Sequence, residues 1–141
     1  MFLCMEGAVA GGETRRSGAI QLNAHSRVRL RRLRWDPEAL RLVQLVAVWR
    51  SVPVDDLVHN SRCSGETALS RQLAMYLIHV IVGRSYDEVS VLFRRHRSTV
   101  AHACKQIEDL RDDRAFDEQI GAIESLFHGY AGTLEAQHEA A

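Results

Sequence analysis

Two short segments with helical apolar spacing, joined by a tight charged break, constrain the fold more than any other feature of this chain. The first segment opens with Ser85 and Glu88, the Ser-x-x-Glu pattern of a capping box at a helix start. The break is Arg94–Arg97, and Ser98 is then expected to cap the second helix. The apolar positions that repeat with helical period are Val89, Leu92 and Phe93 in the first segment and Val100, Ala103, Cys104, Ile107 and Leu110 in the second. Two helices with so short a polar connection predict a helix-turn-helix.

The remainder of the chain also favours helices over strands, because apolar and polar residues rarely alternate cleanly. Asp36, Pro37 and Glu38 mark a helix start, with a capping side chain, a proline at the first position and an acid in the first turn. Further helices are expected over Val54–Leu57, over Leu69–Ile81 with Gly83 as its stop, and over Phe116–Phe127. The sequence therefore predicts an all-α fold, a small helical bundle of one domain over residues 35–128.

The two ends of the chain differ from this domain in composition. Residues 1–34 are expected to be a mobile, basic N-terminal segment, because their first part holds several glycines and no sustained period. Within it, Arg27–Arg34 could be a basic arm, a solvated linker or the lead-in to the first helix, with its apolar residues packed on the domain. Residues 129–141 are expected to form a frayed acidic tail.

Several classes of function find no support in the sequence. No apolar run approaches the roughly 18 residues of a membrane span, and Met1–Met5 is too short for the core of a signal sequence, so a cytoplasmic protein without a membrane partner is expected. The three cysteines lie far apart without a Cys-x-x-Cys pair, which argues against a disulfide framework and against a zinc site. No spacing assembles a nucleophile, a base and an orienting group, so we expect neither an enzyme nor a cofactor.

The start of the second helix of the pair carries side chains suited to DNA. The first turns of such a helix enter the major groove, where side chains reach base edges and phosphates. Arg95 and Arg97 can pair with phosphate or with guanine, Ser98 and Thr99 can donate to phosphate or base, and His96 is a smaller polar group beside them. The partial positive charge of a helix N-terminus also attracts phosphate. These residues predict double-stranded DNA as the partner, while a solvated turn in a helical interaction module that does not read DNA stays open.

From about Val46 to Phe127 the chain resembles the C-terminal DNA-binding domain of the bacterial replication initiator DnaA. Two blocks carry the resemblance, Arg-Gln-x-Ala-Met-Tyr-Leu from Arg71 and Thr-Val-x-His-Ala from Thr99. The resemblance implies a nucleoid-associated protein that binds DNA through its helix-turn-helix. It also implies a role in regulating transcription or replication initiation.

The resemblance also suggests roles for individual positions. The minor-groove arginine of the family, in the loop before the central helix, falls on Arg62. The Arg-Asp-His-Thr-Thr-Val signature falls on residues 95–100, and a basic residue of the central helix falls on His79, which is a weaker match. Phosphate contacts fall near Tyr86 and Asp87, and Arg71 either braces the fold or touches phosphate. The expected DNA-binding residues are Arg62, Arg71, His79, Ser85, Tyr86, Arg94, Arg95, His96, Arg97, Ser98, Thr99 and His102.

The chain also departs from the family pattern. His96 and Arg97 stand where the family has Asp and His, so its base preference is expected to differ. No Gly-x-x-x-x-Gly-Lys-[Ser/Thr] phosphate loop occurs, and nucleotide binding is therefore not expected. A stand-alone relative of the DNA-reading module, without the ATPase, is the expectation.

Overall fold

The computed structural model describes residues 31–59 and 64–139, and every regular element in these ranges is helical. Residues 31–33 are helical, and six α-helices follow in order: α1 (Pro37–Arg50), α2 (Val54–Val58), α3 (Gly65–Leu77), α4 (Tyr86–Phe93), α5 (Arg97–Leu110) and α6 (Arg114–Glu139). A π-helical turn (Ile78–Val82) continues α3. The all-α prediction is confirmed, and α3 is the element against which α1, α2 and α5 pack.

The predicted start of α1 is confirmed in detail. Asp36 is its N-cap and accepts a hydrogen bond from the Ala39 backbone N–H at 3.2 Å, with Pro37 at the first position of the helix. Both features satisfy or remove N–H groups that would otherwise lack a partner. Ahead of this cap, Leu33 is fully buried in the core, so this part of the basic segment packs on the domain. Residues 27–30 lie outside the described part of the chain.

The central helix is buried over most of its second half and ends where the sequence predicts. Ser64 caps α3 by accepting from the Thr67 N–H, and the run from Leu73 to Ile78 is buried throughout. The last turn widens into the π-helical turn, which the apolar spacing does not predict. Gly83 then stops the helix at a φ of 78°, in the left-handed region that glycine adopts at little cost.

The helix-turn-helix forms as expected, with one correction. Both halves of the capping box are present, since the Ser85 N–H donates to Glu88 Oε2 at 2.7 Å and the Glu88 N–H donates to Ser85 Oγ at 3.2 Å. The expectation that Ser98 caps α5 is wrong. The N-cap is His96, whose carbonyl accepts from the Thr99 N–H at 3.0 Å and thereby starts the helix two residues earlier. Ser98 is therefore in the first turn, with its side chain exposed.

The hydrophobic core follows the predicted stripes with few exceptions. Its buried members include Val43 and Val46 of α1, Val89 and Phe93 of α4, Val100, Ala103, Cys104 and Ile107 of α5, and Ile120, Ile123 and Phe127 of α6. Leu110, which the spacing assigns to the α5 stripe, is 41% exposed, and Leu126 of α6 is 57% exposed. The last helix was expected to end near Phe127, but α6 extends through Glu139 into the predicted frayed tail.

An ion pair ties the start of α1 to the residue that precedes the helix-turn-helix. Arg84 approaches Asp36 through two nitrogens, Nε to Oδ2 at 2.6 Å and Nη2 to Oδ1 at 3.1 Å. The Asp36 side chain is only 14% exposed. The hydrogen bond from Arg84 holds the pKa of Asp36 below its ordinary value of 3.8, against the opposing effect of burial. One carboxylate thus serves both as helix cap and as anchor for the segment that leads into α4.

Replacing Asp36 with Asn should remove the ion pair and keep the cap, because Asn caps helices as well as Asp does. We expect the protein to lose about 1–2 kcal/mol of stability at neutral pH, measured by urea unfolding. The Asp36 pKa is lower in the folded than in the unfolded chain. The stabilisation is therefore present above the ordinary pKa and lost as pH falls through the lowered one. The difference between wild type and Asp36→Asn should shrink below about pH 4. A difference that stays constant down to acid pH would contradict the ion-pair account.

Candidate nucleic-acid interface

The start of α5 presents a continuous polar surface to solvent. We call it the α5 face, and it consists of Arg94, His96, Arg97, Ser98, Thr99 and His102, all of which are exposed. His102 lies one helical turn after Ser98 and Thr99, so the three side chains share one side of the helix. The buried stripe of α5 turns the opposite side toward the core. The structure thus brings together six of the twelve residues that the sequence nominates.

The backbone at this surface is open to an anion. The His96 side chain makes no capping hydrogen bond, so the first N–H groups of α5 receive no side-chain acceptor from it. The preceding turn is closed by Arg94 at a φ of 50°, a left-handed conformation that costs a non-glycine residue about 1 kcal/mol. An uncapped N-terminus flanked by arginines offers both oriented N–H donors and positive charge.

Arg95 differs from its neighbours because it turns back into the protein. Its side chain is half-buried, and Nη2 donates to the carbonyl oxygen of His59 at 3.2 Å. His59 follows α2, directly before residues 60–63, which lie outside the described ranges. The contact fixes the turn of the helix-turn-helix against the end of α2. Arg95 thus joins the α5 turn to the chain segment that leads toward Arg62.

A line of stacked side chains connects the π-helical turn to the α5 face. His79 Nδ1 donates to the Arg84 carbonyl at 2.7 Å, and its ring lies over Tyr86 with 4.4 Å between centroids. The Arg97 guanidinium lies 5.9 Å from the centroid of the Tyr86 ring. Arg97 also forms an ion pair with Asp87, with Nε 3.2 Å from Oδ1. His79 and Tyr86 therefore lie behind Arg97, and Ser85 caps the helix that carries Tyr86.

Arg71 is positioned to brace the fold. It is 7% exposed, and it donates from Nε to the Leu57 carbonyl at 3.0 Å and from Nη2 to the Asp56 carbonyl at 2.7 Å. These bonds satisfy backbone carbonyls near the end of α2, which lack partners within the helix, and hold α2 against α3. Of the two roles expected for Arg71, the geometry favours bracing over a phosphate contact.

Arg62 belongs to residues 60–63, outside the part of the chain that the structure describes. Its assignment to a minor groove stays a prediction. The sequence does not predict the pairing of Asp87 with Arg97, because the spacing of two charges on different helices gives no sign that they meet.

Three further features of the described residues bear on function. Within the described ranges, no group of three or more His, Cys, Asp or Glu side chains could hold a metal ion. Burial raises the pKa of the Cys104 thiol to about 11, which keeps it protonated and poorly nucleophilic at neutral pH. None of the helices in residues 31–59 and 64–139 is long and apolar enough to cross a membrane.

Replacing Arg71 with Met should destabilise the protein by about 2–3 kcal/mol, because the change leaves the buried carbonyl of Leu57 and the partly buried carbonyl of Asp56 without their charged donor. Arg94→Met, at an exposed position, should change stability by less than about 0.5 kcal/mol and is the matched control. Urea unfolding of both variants measures the two effects. If Arg71→Met kept wild-type stability but bound DNA more weakly, Arg71 would be a phosphate contact and not a brace.

Part of this chain is similar to bacterial DnaA proteins. Residues 41–107 match the family model described as the bacterial DnaA protein helix-turn-helix. The chromosomal replication initiator protein DnaA 2 of Chlamydia pneumoniae is 36% identical over 89 residues, which are 62% of this chain and 20% of the relative. The DnaA protein of Aquifex aeolicus (strain VF5) is 31% identical over 87 residues, which are 60% of this chain and 22% of the relative. The chain thus spans about a fifth of the length of these curated relatives.

Two solved structures are similar in fold. AMPPCP-bound DnaA from Aquifex aeolicus aligns with a TM-score of 0.58 at 23% identity, over 69% of this chain and 29% of that one. Replication initiator DnaA bound to AMPPCP and single-stranded DNA aligns with a TM-score of 0.58 at 24% identity, over 82% of this chain and 34% of that one. At these identities the likeness shows the shared helical fold.

Proposed function

We propose that the chain binds double-stranded DNA sequence-specifically, with the start of α5 in the major groove, because residues 41–107 match the family model described as the bacterial DnaA protein helix-turn-helix. The observation that carries the proposal is the α5 face, in which six exposed polar residues surround an uncapped helix N-terminus. A recognition helix needs this arrangement, because short and basic side chains in its first turns reach base edges.

The residues of the α5 face divide by chemistry into base readers and phosphate binders. Arg97 is proposed to read guanine, since its guanidinium can donate two parallel hydrogen bonds to O6 and N7. Ser98, Thr99 and His102 are proposed to contact bases or phosphates along the same side of the helix. Arg94 is proposed to bind phosphate, where a guanidinium contributes affinity without sequence information.

The distribution of arginine partners supports this surface as the binding face. Arg111 is engaged inside the protein, by Asp117 at 2.6 Å and by Glu124 at 3.3 Å, and Arg84 is engaged by Asp36. Within residues 31–59 and 64–129, Arg94 has no carboxylate partner, and its charge remains available to a phosphate. The zero net charge of the chain therefore does not oppose DNA binding, because the positive charge is concentrated locally.

The proposed biological role is regulation of transcription or of replication initiation at the nucleoid. The curated relatives are named chromosomal replication initiator proteins, and the match covers about a fifth of their length. We propose the DNA-reading step alone, without catalysis, nucleotide binding or a membrane partner. The competing role is a helical interaction module that binds another protein and does not read DNA.

Selection from a pool of random-sequence duplexes tests the proposal. The full chain should enrich a short motif, and a mobility shift with that motif should resist an excess of unrelated competitor DNA. Specific sites are typically bound about 10³-fold or more tighter than unrelated DNA at physiological salt. If every competitor DNA displaced the motif equally well, only phosphate binding would remain. If the protein shifted no DNA at all, the interaction module would be favoured.

Replacing Arg97 with Ala should weaken binding to the selected site by about 1–3 kcal/mol and relax the preference at one base pair. Titration against a set of single-base variants of the site measures both effects. An equal loss of affinity on every sequence would show that Arg97 touches only phosphate.

Arg62→Ala should weaken specific binding most on sites whose flanks are A·T-rich, because arginine inserts where the minor groove is narrow and its potential most negative. Affinities are compared on two duplexes that share the core site and carry A·T or G·C flanks. The same loss on both flanks would exclude a role for groove width at Arg62.

A further inference from the structure

The side chain of Arg97 is held in place by residues of the other helix of the pair. An exposed arginine at the first position of a helix samples many rotamers, and ordering it costs up to about 2 kcal/mol of side-chain entropy. Here the Asp87 carboxylate lies beside Nε at 3.2 Å, and the Tyr86 ring lies beneath the guanidinium at 5.9 Å. Both contacts come from the first turn of α4.

The Tyr86 ring is itself supported from below. His79 stacks on it at 4.4 Å, and the same imidazole is fixed by its bond to the Arg84 carbonyl. His79 belongs to the π-helical turn, and Arg84 follows Gly83, which ends that turn. The position of the ring under Arg97 therefore depends on a continuous line of contacts from the central helix.

The ion pair leaves the base-reading edge of Arg97 open. Asp87 approaches the guanidinium from the Nε side, and neither terminal amino group of Arg97 donates a hydrogen bond to any described residue. Those two amino groups can donate in parallel to guanine O6 and N7. A carboxylate on the opposite edge fixes the direction in which this pair of donors points.

Asp87 also carries the wrong charge for a simple phosphate contact. It is 75% exposed on the side where DNA is proposed to bind, and a carboxylate near the phosphate backbone opposes binding to every sequence. Exposed ion pairs of this kind contribute little to stability. The contact therefore adds little to the stability of the fold, and the Asp87 charge opposes binding to DNA of any sequence. The remaining effect of the contact is to orient the Arg97 side chain.

We propose that Asp87 and Tyr86 are positioning residues that orient Arg97 and so set base discrimination by the helix-turn-helix. The inference rests on the proposed function, and it deepens that function by naming what determines specificity. The first step of the test selects a preferred duplex for the wild-type chain from a random-sequence pool. Single-base variants of that duplex then give the discrimination ratio at each position.

Asp87→Asn should lower discrimination about three- to tenfold at the base pair that Arg97 reads, because the side chain is no longer held by charge. Binding to unrelated duplex should stay equal or rise, since one negative charge is removed from the interface. The control is Asp109→Asn, which removes the same charge from an exposed position of α5 without an ion-pair partner among the described residues. It should leave every discrimination ratio unchanged.

Two substitutions at Tyr86 distinguish an effect on the orientation of Arg97 from a general loss of folded structure. Tyr86→Phe keeps the ring and should keep discrimination, whereas Tyr86→Leu removes the stacking surface and should reduce discrimination at the same base pair as Asp87→Asn. Thermal melting checks each fold, and if Tyr86→Leu melts early, Asp87→Asn alone decides.

The outcomes distinguish failure of the positioning role from failure of the proposed function. Unchanged ratios for Asp87→Asn, or an equal loss for Tyr86→Phe and Tyr86→Leu, would overturn the positioning role while the proposed function stands. A rise in discrimination for Asp87→Asn would also overturn it, since Asp87 would then withhold Arg97 from DNA. A wild-type chain that enriches no motif would overturn both.

Discussion

The packing of α5 against α3 is the contact on which the rest of the structure depends. The α5 stripe of Val100, Ala103, Cys104 and Ile107 is buried, and α3 is buried over most of its second half. Burying one side of α5 fixes its rotation about its own axis, because the apolar positions repeat with the helical period. The opposite side, with Ser98, Thr99 and His102, must then face solvent. The candidate interface is therefore a consequence of core packing.

The fold also uses its arginines in two distinct ways. Arg71, Arg84 and Arg111 bind carbonyl or carboxylate groups of the protein and hold helices together. At the start of α5 the exposed arginines meet few internal acceptors, and Asp87 is the carboxylate that reaches one of them. Because carbonyl and carboxylate oxygens of the protein engage the first set, charge composition alone does not reveal the second set. Position within the fold decides which arginines are available to a partner.

Local signals in the sequence predict where most of the helices begin and end. The cap at Asp36, the capping box at Ser85 and the stop at Gly83 each depend on a few adjacent residues, and each formed as expected. The predicted cap at Ser98 is wrong because the preceding turn starts α5 two residues earlier, which the cap propensity of Ser98 alone does not indicate. The π-helical turn was not predicted, since it changes the hydrogen-bond register without changing the apolar pattern.

The sequence predicts the candidate site only in part, because some of its contacts join residues on different helices. The polar run at the start of α5 is contiguous in the chain, so its exposure follows from one helix and its stripe. The links between Arg95 and His59, between His79 and Tyr86, and between Asp87 and Arg97 join residues on different elements. Such links depend on how the helices are arranged in space, which residue spacing does not encode. Arg71 is a further example, because this residue is predicted as a possible DNA contact but is buried, where it binds carbonyls of α2.

The central claim is that the start of α5 is the surface that meets duplex DNA. It is tested most directly by mapping backbone amide chemical shifts of the isotope-labelled chain while its selected duplex is added. The account predicts that the largest changes fall on residues 94–102 and on the first turn of α4. It also predicts that the groove between α1 and α6, lined by Leu45, Val48 and Leu126, changes little. Large changes along that groove with residues 94–102 unmoved would contradict the account.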